Sequence, residues 1–182
     1  MNRIIYFYFF IVLLLISLKP KVDTDEWKYK YVLIYLATSI LTISLFVDNN
    51  IINKYILPFL IFLNVLILIP ITLVNKPNII NMLSILAVLV ILITFNYKEL
   101  EIKRGIMVNL NKKWLLTYVF GLSLYFMLSN YHVTVFYFRI FNIILLVYPL
   151  LFPTNEYFIH RAFSLTIGCL YANLDDNLLK IL

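Results

Sequence analysis

Seven apolar runs fill this chain almost end to end, and none has a lysine, aspartate or glutamate in its interior. They cover residues 4–18, 31–47, 55–74, 79–95, 114–128, 133–152 and 157–173. A helix crosses a bilayer with about 20 mostly apolar residues, within a range of about 17–25. Barrel strands alternate in polarity and are about half that length, whereas these runs are continuously apolar. The expectation is an all-α polytopic integral membrane protein, about seven transmembrane helices in one bundle, forming a single domain over residues 1–182.

Composition supports that class. The chain is 63% hydrophobic and only 13% charged, with a mean hydropathy of +0.94. Soluble domains carry about 25% charged residues, so a water-exposed surface would lack polar cover. The net charge of +6 does not point to nucleic acid, because the lysines flank apolar runs instead of forming one patch. Interfacial anchoring accounts for them better. A single cysteine, Cys169, leaves no internal disulfide.

The polar breaks set the boundaries. No small-x-small cleavage site follows the first run, so it reads as an uncleaved span. Lys19 to Lys30 reads as an aqueous loop, and Asp48-Asn49-Asn50 closes the second run. The third holds Asn64 between Pro58 and Pro70, prolines that membrane helices tolerate when neighbours satisfy the freed carbonyls. Asn75 to Asn78 is a turn, and Tyr97 to Lys113 is the longest polar stretch. That stretch reads as a plain loop, with a headgroup-lying segment through Ile102, Ile106, Val108 and Leu110 as the alternative. Ser129-Asn130-Tyr131-His132 splits the long apolar region that follows, and Pro153-Thr154-Asn155-Glu156 is the next turn.

Orientation is not decided by charge. With seven spans, the amino-terminal side collects Arg3, Lys54, Lys98, Lys103, Arg104, Lys112 and Lys113. The other side collects Lys19, Lys21, Lys28, Lys30, Lys76 and Lys180. Seven against six is no asymmetry under the positive-inside rule.

Charged groups inside spans mark function by default, and two arginines qualify. Arg139 stands in the sixth run, at a depth suited to pairing with Asp175 or Asp176 beyond the seventh; the alternative is snorkelling to the headgroups. Arg161 lies a turn into the seventh run beside His160, with Glu156 just before it. These three form either a proton-handling cluster or an interfacial anchor at a helix start. Asn64 is the one polar side chain near the middle of the third run, suited to a neighbouring helix or to a substrate.

Enzyme chemistry finds no footing. His132 has no partner at metal-ligand spacing, so no metal is expected. His160 and Cys169 are nine steps apart, on opposite faces of one helix at about 100° per residue. No GxSxG, HExxH or phosphate-binding glycine loop occurs. The three glycines never form GxxxG.

One family resemblance rests on the sixth and seventh runs. Phe138-Arg139-Ile140-Phe141-Asn142 leads to Tyr148-Pro149-Leu150-Leu151-Phe152, which resembles the sixth helix of microbial-type (bacteriorhodopsin-like) rhodopsins. A short turn and a last helix follow, as in that family. Lys28-Tyr29-Lys30-Tyr31 at the entry to the second run also fits. The resemblance implies a seven-helix bundle, but it departs where retinal binds. Laid on the following Ile-Gly, Thr166 takes the place of the Schiff-base lysine and Ala162 that of its aspartate. Threonine cannot form an imine, so the resemblance implies a retinal-free relative and no cofactor.

The leading expectation for function is a non-enzymatic scaffold or partner-binding protein. Its partners would be the lipid bilayer and either other membrane proteins or further copies of itself. A small transporter or channel-like protein using Asn64 and Arg139 is the second reading, and a retinal-free rhodopsin-like protein the third. A continuous polar cavity reaching Asn64 favours the second, and a packed interior with no cavity favours the first.

Overall fold

The computed structural model describes residues 25–74, 78–96, 100–103, 106–109, 111–128 and 136–174. The apolar run at 4–18 lies outside the described residues. Each of the other runs carries helix, and the protein is mostly helical.

Helix α1, Asp25–Ser44, starts six residues before the apolar run it contains. Residues 25–30, expected in a loop, are therefore its first turns, and Lys30 becomes a helix residue. The third run holds a π-helical turn, Ile52–Ile56, then α2, Leu57–Leu66, and α3, Leu68–Val74. The prolines explain both irregularities. Pro58 has no N–H for the Lys54 carbonyl, and the Leu57 N–H reaches back five residues to Ile52 instead. Pro70 likewise withholds a donor from the Leu66 carbonyl, and the helix breaks at Ile67.

Helix α4, Ile79–Thr94, precedes a β-hairpin of β1, Glu101–Lys103, and β2, Ile106–Asn109. Helix α5 is Lys112–Leu128 and α6 is Phe136–Val147, tightening into a 3₁₀ turn at Tyr148–Leu151 where Pro149 stops the α pattern. A second 3₁₀ turn, Thr154–Glu156, leads into α7, Tyr157–Leu174.

Asparagines that read as turns act as helix caps. Asn49 Oδ1 accepts from the Ile51 and Ile52 N–H groups at 2.8 and 3.3 Å. Asn78 Oδ1 accepts from Asn81 N at 2.7 Å, and Asn111 Oδ1 from Lys113 N at 3.0 Å. Each satisfies donors that a helix start leaves orphaned.

The helices close a ring. α1 packs on α2, α2 and α3 on α4, α4 on α5, α5 on α6, α6 on α7, and α7 returns to α1. The most extensive helix contact is between α4 and α5, and Gly121 packs tightly within it. A Cβ there would stand 2.8 Å from Ile91 Cδ1.

The stretch expected as a loop at 97–113 contains the hairpin, which covers one end of the ring. Ile102 pairs with Met107, and both are buried while Val108 is exposed. Lys54–Glu101 at 3.9 Å and Lys103–Asp48 at 3.5 Å tie β1 to the start of the π turn and its preceding loop. Both pairs are partly exposed and contribute little.

Ile52–Leu73, 22 residues at a mean hydropathy of 2.6, is the one described helix both long and apolar enough to cross a membrane. The seven expected spans are therefore not established. α4 and α5 have 16 and 17 residues, and α1 opens with four charged residues in its first six.

Candidate functional site

Inside the ring, polar side chains are interspersed in a mostly apolar core, while large apolar side chains also face outward. On α4 the inward positions are Asn81, Ser84, Ala87, Val88 and Ile91, while Ile79, Met82, Leu86 and Ile93 point outward. On α1, Thr38, Thr42 and Ser44 are buried, and Val32, Leu36 and Ile43 are exposed. Their hydroxyls are satisfied locally: Thr38 Oγ1 donates to the Ile34 carbonyl at 2.8 Å and Thr42 Oγ1 to the Thr38 carbonyl at 2.8 Å.

Between α1, α2, α5 and α7, under the hairpin, lies a cavity of about 50 Å³. Ile102 and Phe158 line its hairpin end, and Ile34, Leu41, Leu57 and Ile61 supply apolar wall. Its polar lining is Thr38, Asn64, Tyr118 and Arg161. No carboxylate lines it among the described residues.

Arg161 is the decisive group. It is 3% exposed, and its Nε and Nη1 have no hydrogen-bond partner. The Tyr118 hydroxyl lies within hydrogen-bonding reach of its guanidinium. Guanidinium stays protonated in proteins, so a full positive charge sits inside the ring with two of its nitrogens unanswered.

Arg161 does not join its sequence neighbours. His160 Nε2 lies 3.3 Å from Glu156 Oε2, one turn back on α7. The ring of Phe152 stacks on His160 at 3.7 Å between centroids. The three-residue cluster expected at 156, 160 and 161 is thus a His160–Glu156 pair, with Arg161 turned into the cavity. The interfacial-anchor alternative does not describe Arg161 either, since its side chain is buried.

Asn64 bridges helices. Its Nδ2 donates to the Leu60 carbonyl at 3.2 Å and to Leu33 of α1 at 3.4 Å. The Lys30 ammonium donates to the Asn64 backbone carbonyl and, at 3.3 Å, to its Oδ1. Lys30, expected in a loop, is a helix residue whose ammonium reaches the last turns of α2.

Thr38 Oγ1 and Thr166 Oγ1 stand 3.3 Å apart between α1 and α7, both fully buried. Arg139 belongs to the first turn of α6. Its expected pairing with Asp175 or Asp176 lies outside the described residues, as does His132.

An aromatic cluster seals the hairpin end. Trp114 meets Phe95 at 5.1 Å, Tyr118 at 5.4 Å and Phe158 at 6.0 Å. Tyr118 packs edge-on against Phe158 and Tyr157, a geometry that favours ring quadrupoles. No family model, curated protein or solved structure matches this chain, so its chemistry is argued from its own residues.

Proposed function

We propose that the chain is a multi-pass membrane protein whose helix ring holds a small-solute site, a transporter or channel-like protein. The observation that carries this reading is a pair of features: apolar side chains face outward along α1, α2 and α4, while a mostly apolar cavity inside holds Arg161 and Asn64 in its lining. Exposed apolar bands of that extent are costly in water and suited to lipid. Polar groups that face inward from membrane helices line pathways and binding sites.

Helix length is compatible with this. α4 and α5 are about 24 and 26 Å long at 1.5 Å per residue, against a hydrocarbon layer of about 30 Å. Short spans are accommodated by local thinning and by polar anchors at their ends. A scaffold would need no internal cavity, and the cavity reaching Asn64, with the Arg161 guanidinium in its lining, supports the transport reading over it. The retinal-free rhodopsin reading fits Thr166 and the small interior equally, but names no activity.

The test is permeation into vesicles reconstituted with the protein, using urea, glycerol and formate. At least one solute should enter faster than into protein-free vesicles, and Asn64→Phe should slow it. Equal rates for all three, with the protein shown inserted by resistance to alkaline extraction, would overturn the reading.

A further inference from the structure

Resting on that reading, we infer that the Arg161 cavity is a site for a small monoanion, a halide or a short carboxylate. The first argument is charge. Arg161 is almost completely buried, and two of its three nitrogens have no partner. A buried ion without partner or counter-charge is strongly unfavourable, and no carboxylate lines the cavity among the described residues. An anion supplies both the charge and the acceptor lone pairs.

The second argument is the shape and chemistry of the walls. The Tyr118 hydroxyl joins Arg161 in the lining as a further donor, whereas the Thr38 hydroxyl and the Asn64 amide N–H groups are already engaged with backbone carbonyls. Lys30 does not line the cavity, but its ammonium is held on Asn64, which does. The remaining wall is apolar, which suits a halide or the hydrogen or methyl end of formate or acetate.

Size sets the class. A water molecule occupies about 10–15 Å³ of such space, so about 50 Å³ holds about three to five waters or one small anion. Gluconate is too large to enter. Water alone would answer the N–H groups but leave the charge unbalanced.

The experiment measures Tm of the purified full chain in detergent at constant ionic strength, with sodium chloride, formate, acetate or gluconate. Chloride, formate or acetate should raise Tm saturably by several degrees over gluconate, since a ligand that binds only the folded state stabilises it by mass action. Arg161→Gln should abolish that difference. Should Arg161→Gln fail to fold, Ala162→Leu serves instead: it keeps the guanidinium, fills the cavity and should also abolish the response. Equal Tm in all four salts overturns the inference, as does an anion response unchanged in Ala162→Leu. The vesicle assay separates the two proposals. Anion binding without permeation keeps this site and removes the pathway, whereas permeation without an anion effect on Tm does the reverse.

Discussion

Ser164 on α7 donates its hydroxyl to the Leu145 carbonyl on α6 at 2.8 Å. Leu145 is four residues before Pro149, so its carbonyl is the one that proline deprives of a backbone donor. Next to it, the Tyr157 hydroxyl donates to the Leu146 carbonyl at 3.0 Å, again from α7. Two side chains of the last helix thus complete the backbone of the one before it. Membrane helices tolerate proline on this condition.

A double-mutant cycle reads that relationship. Ser164→Ala leaves the Leu145 carbonyl unsatisfied and should cost about 1–2 kcal/mol. In a Pro149→Ala background the restored N–H can answer the same carbonyl, and the cost of Ser164→Ala should fall to a few tenths of a kcal/mol. Unfolding of the four proteins in mixed micelles measures the coupling. Equal costs in both backgrounds would show that Ser164 does not serve the proline.

The contact of α4 with α5 gives a second prediction. A methyl group on Gly121 would meet Ile91 Cδ1 and Cγ1 at 2.8 Å and the Ala87 carbonyl oxygen at 3.3 Å. Overpacking of this kind costs about 1–3 kcal/mol, partly offset by about 1 kcal/mol of improved helix propensity. Gly121→Ala should therefore destabilise by up to about 2 kcal/mol. Combined with Ile91→Ala it should cost less than the sum of the two changes, because the new methyl enters space the isoleucine vacated. Strict additivity in the same unfolding assay would place the clash elsewhere.

The apolar runs located the described helices because continuous hydropathy and backbone self-satisfaction demand helix in the same places. What hydropathy does not report is the direction of a side chain. Arg161 stands one turn into its run, a position that suits a guanidinium reaching the headgroups as well as one pointing inward; packing of α7 against α1 and α5 turns it inward. Lys30 was hidden by a related effect. Asp25, Glu26, Lys28 and Lys30 read as an aqueous loop, yet as a helix they need only a side for their charges, and Lys30 finds Asn64. The hairpin at 101–109 was masked by short strands whose alternation, Ile102 and Met107 inward against Lys103 and Val108 outward, spans too few residues to stand out. The caps at Asn49, Asn78 and Asn111 occupy the polar breaks themselves, where cap and turn share one residue type.

Thr166 carries the last prediction. Its hydroxyl donates to the Ala162 carbonyl at 2.9 Å and meets Thr38 across the α1–α7 contact, where a rhodopsin-like helix would present a lysine. Threonine forms no imine, and the adjoining cavity of about 50 Å³ is far below the roughly 300 Å³ at which ligand pockets begin. Incubating the protein with retinal should therefore produce no red-shifted absorption band. Thr166→Lys should produce none either, because it restores the amine without the room. A band from the native protein would sink the alignment that puts Thr166 at the chromophore position. A band from Thr166→Lys alone would show that the helix ring opens to admit a ligand several times larger than its cavity, and the size limit placed on the Arg161 site would fall with it.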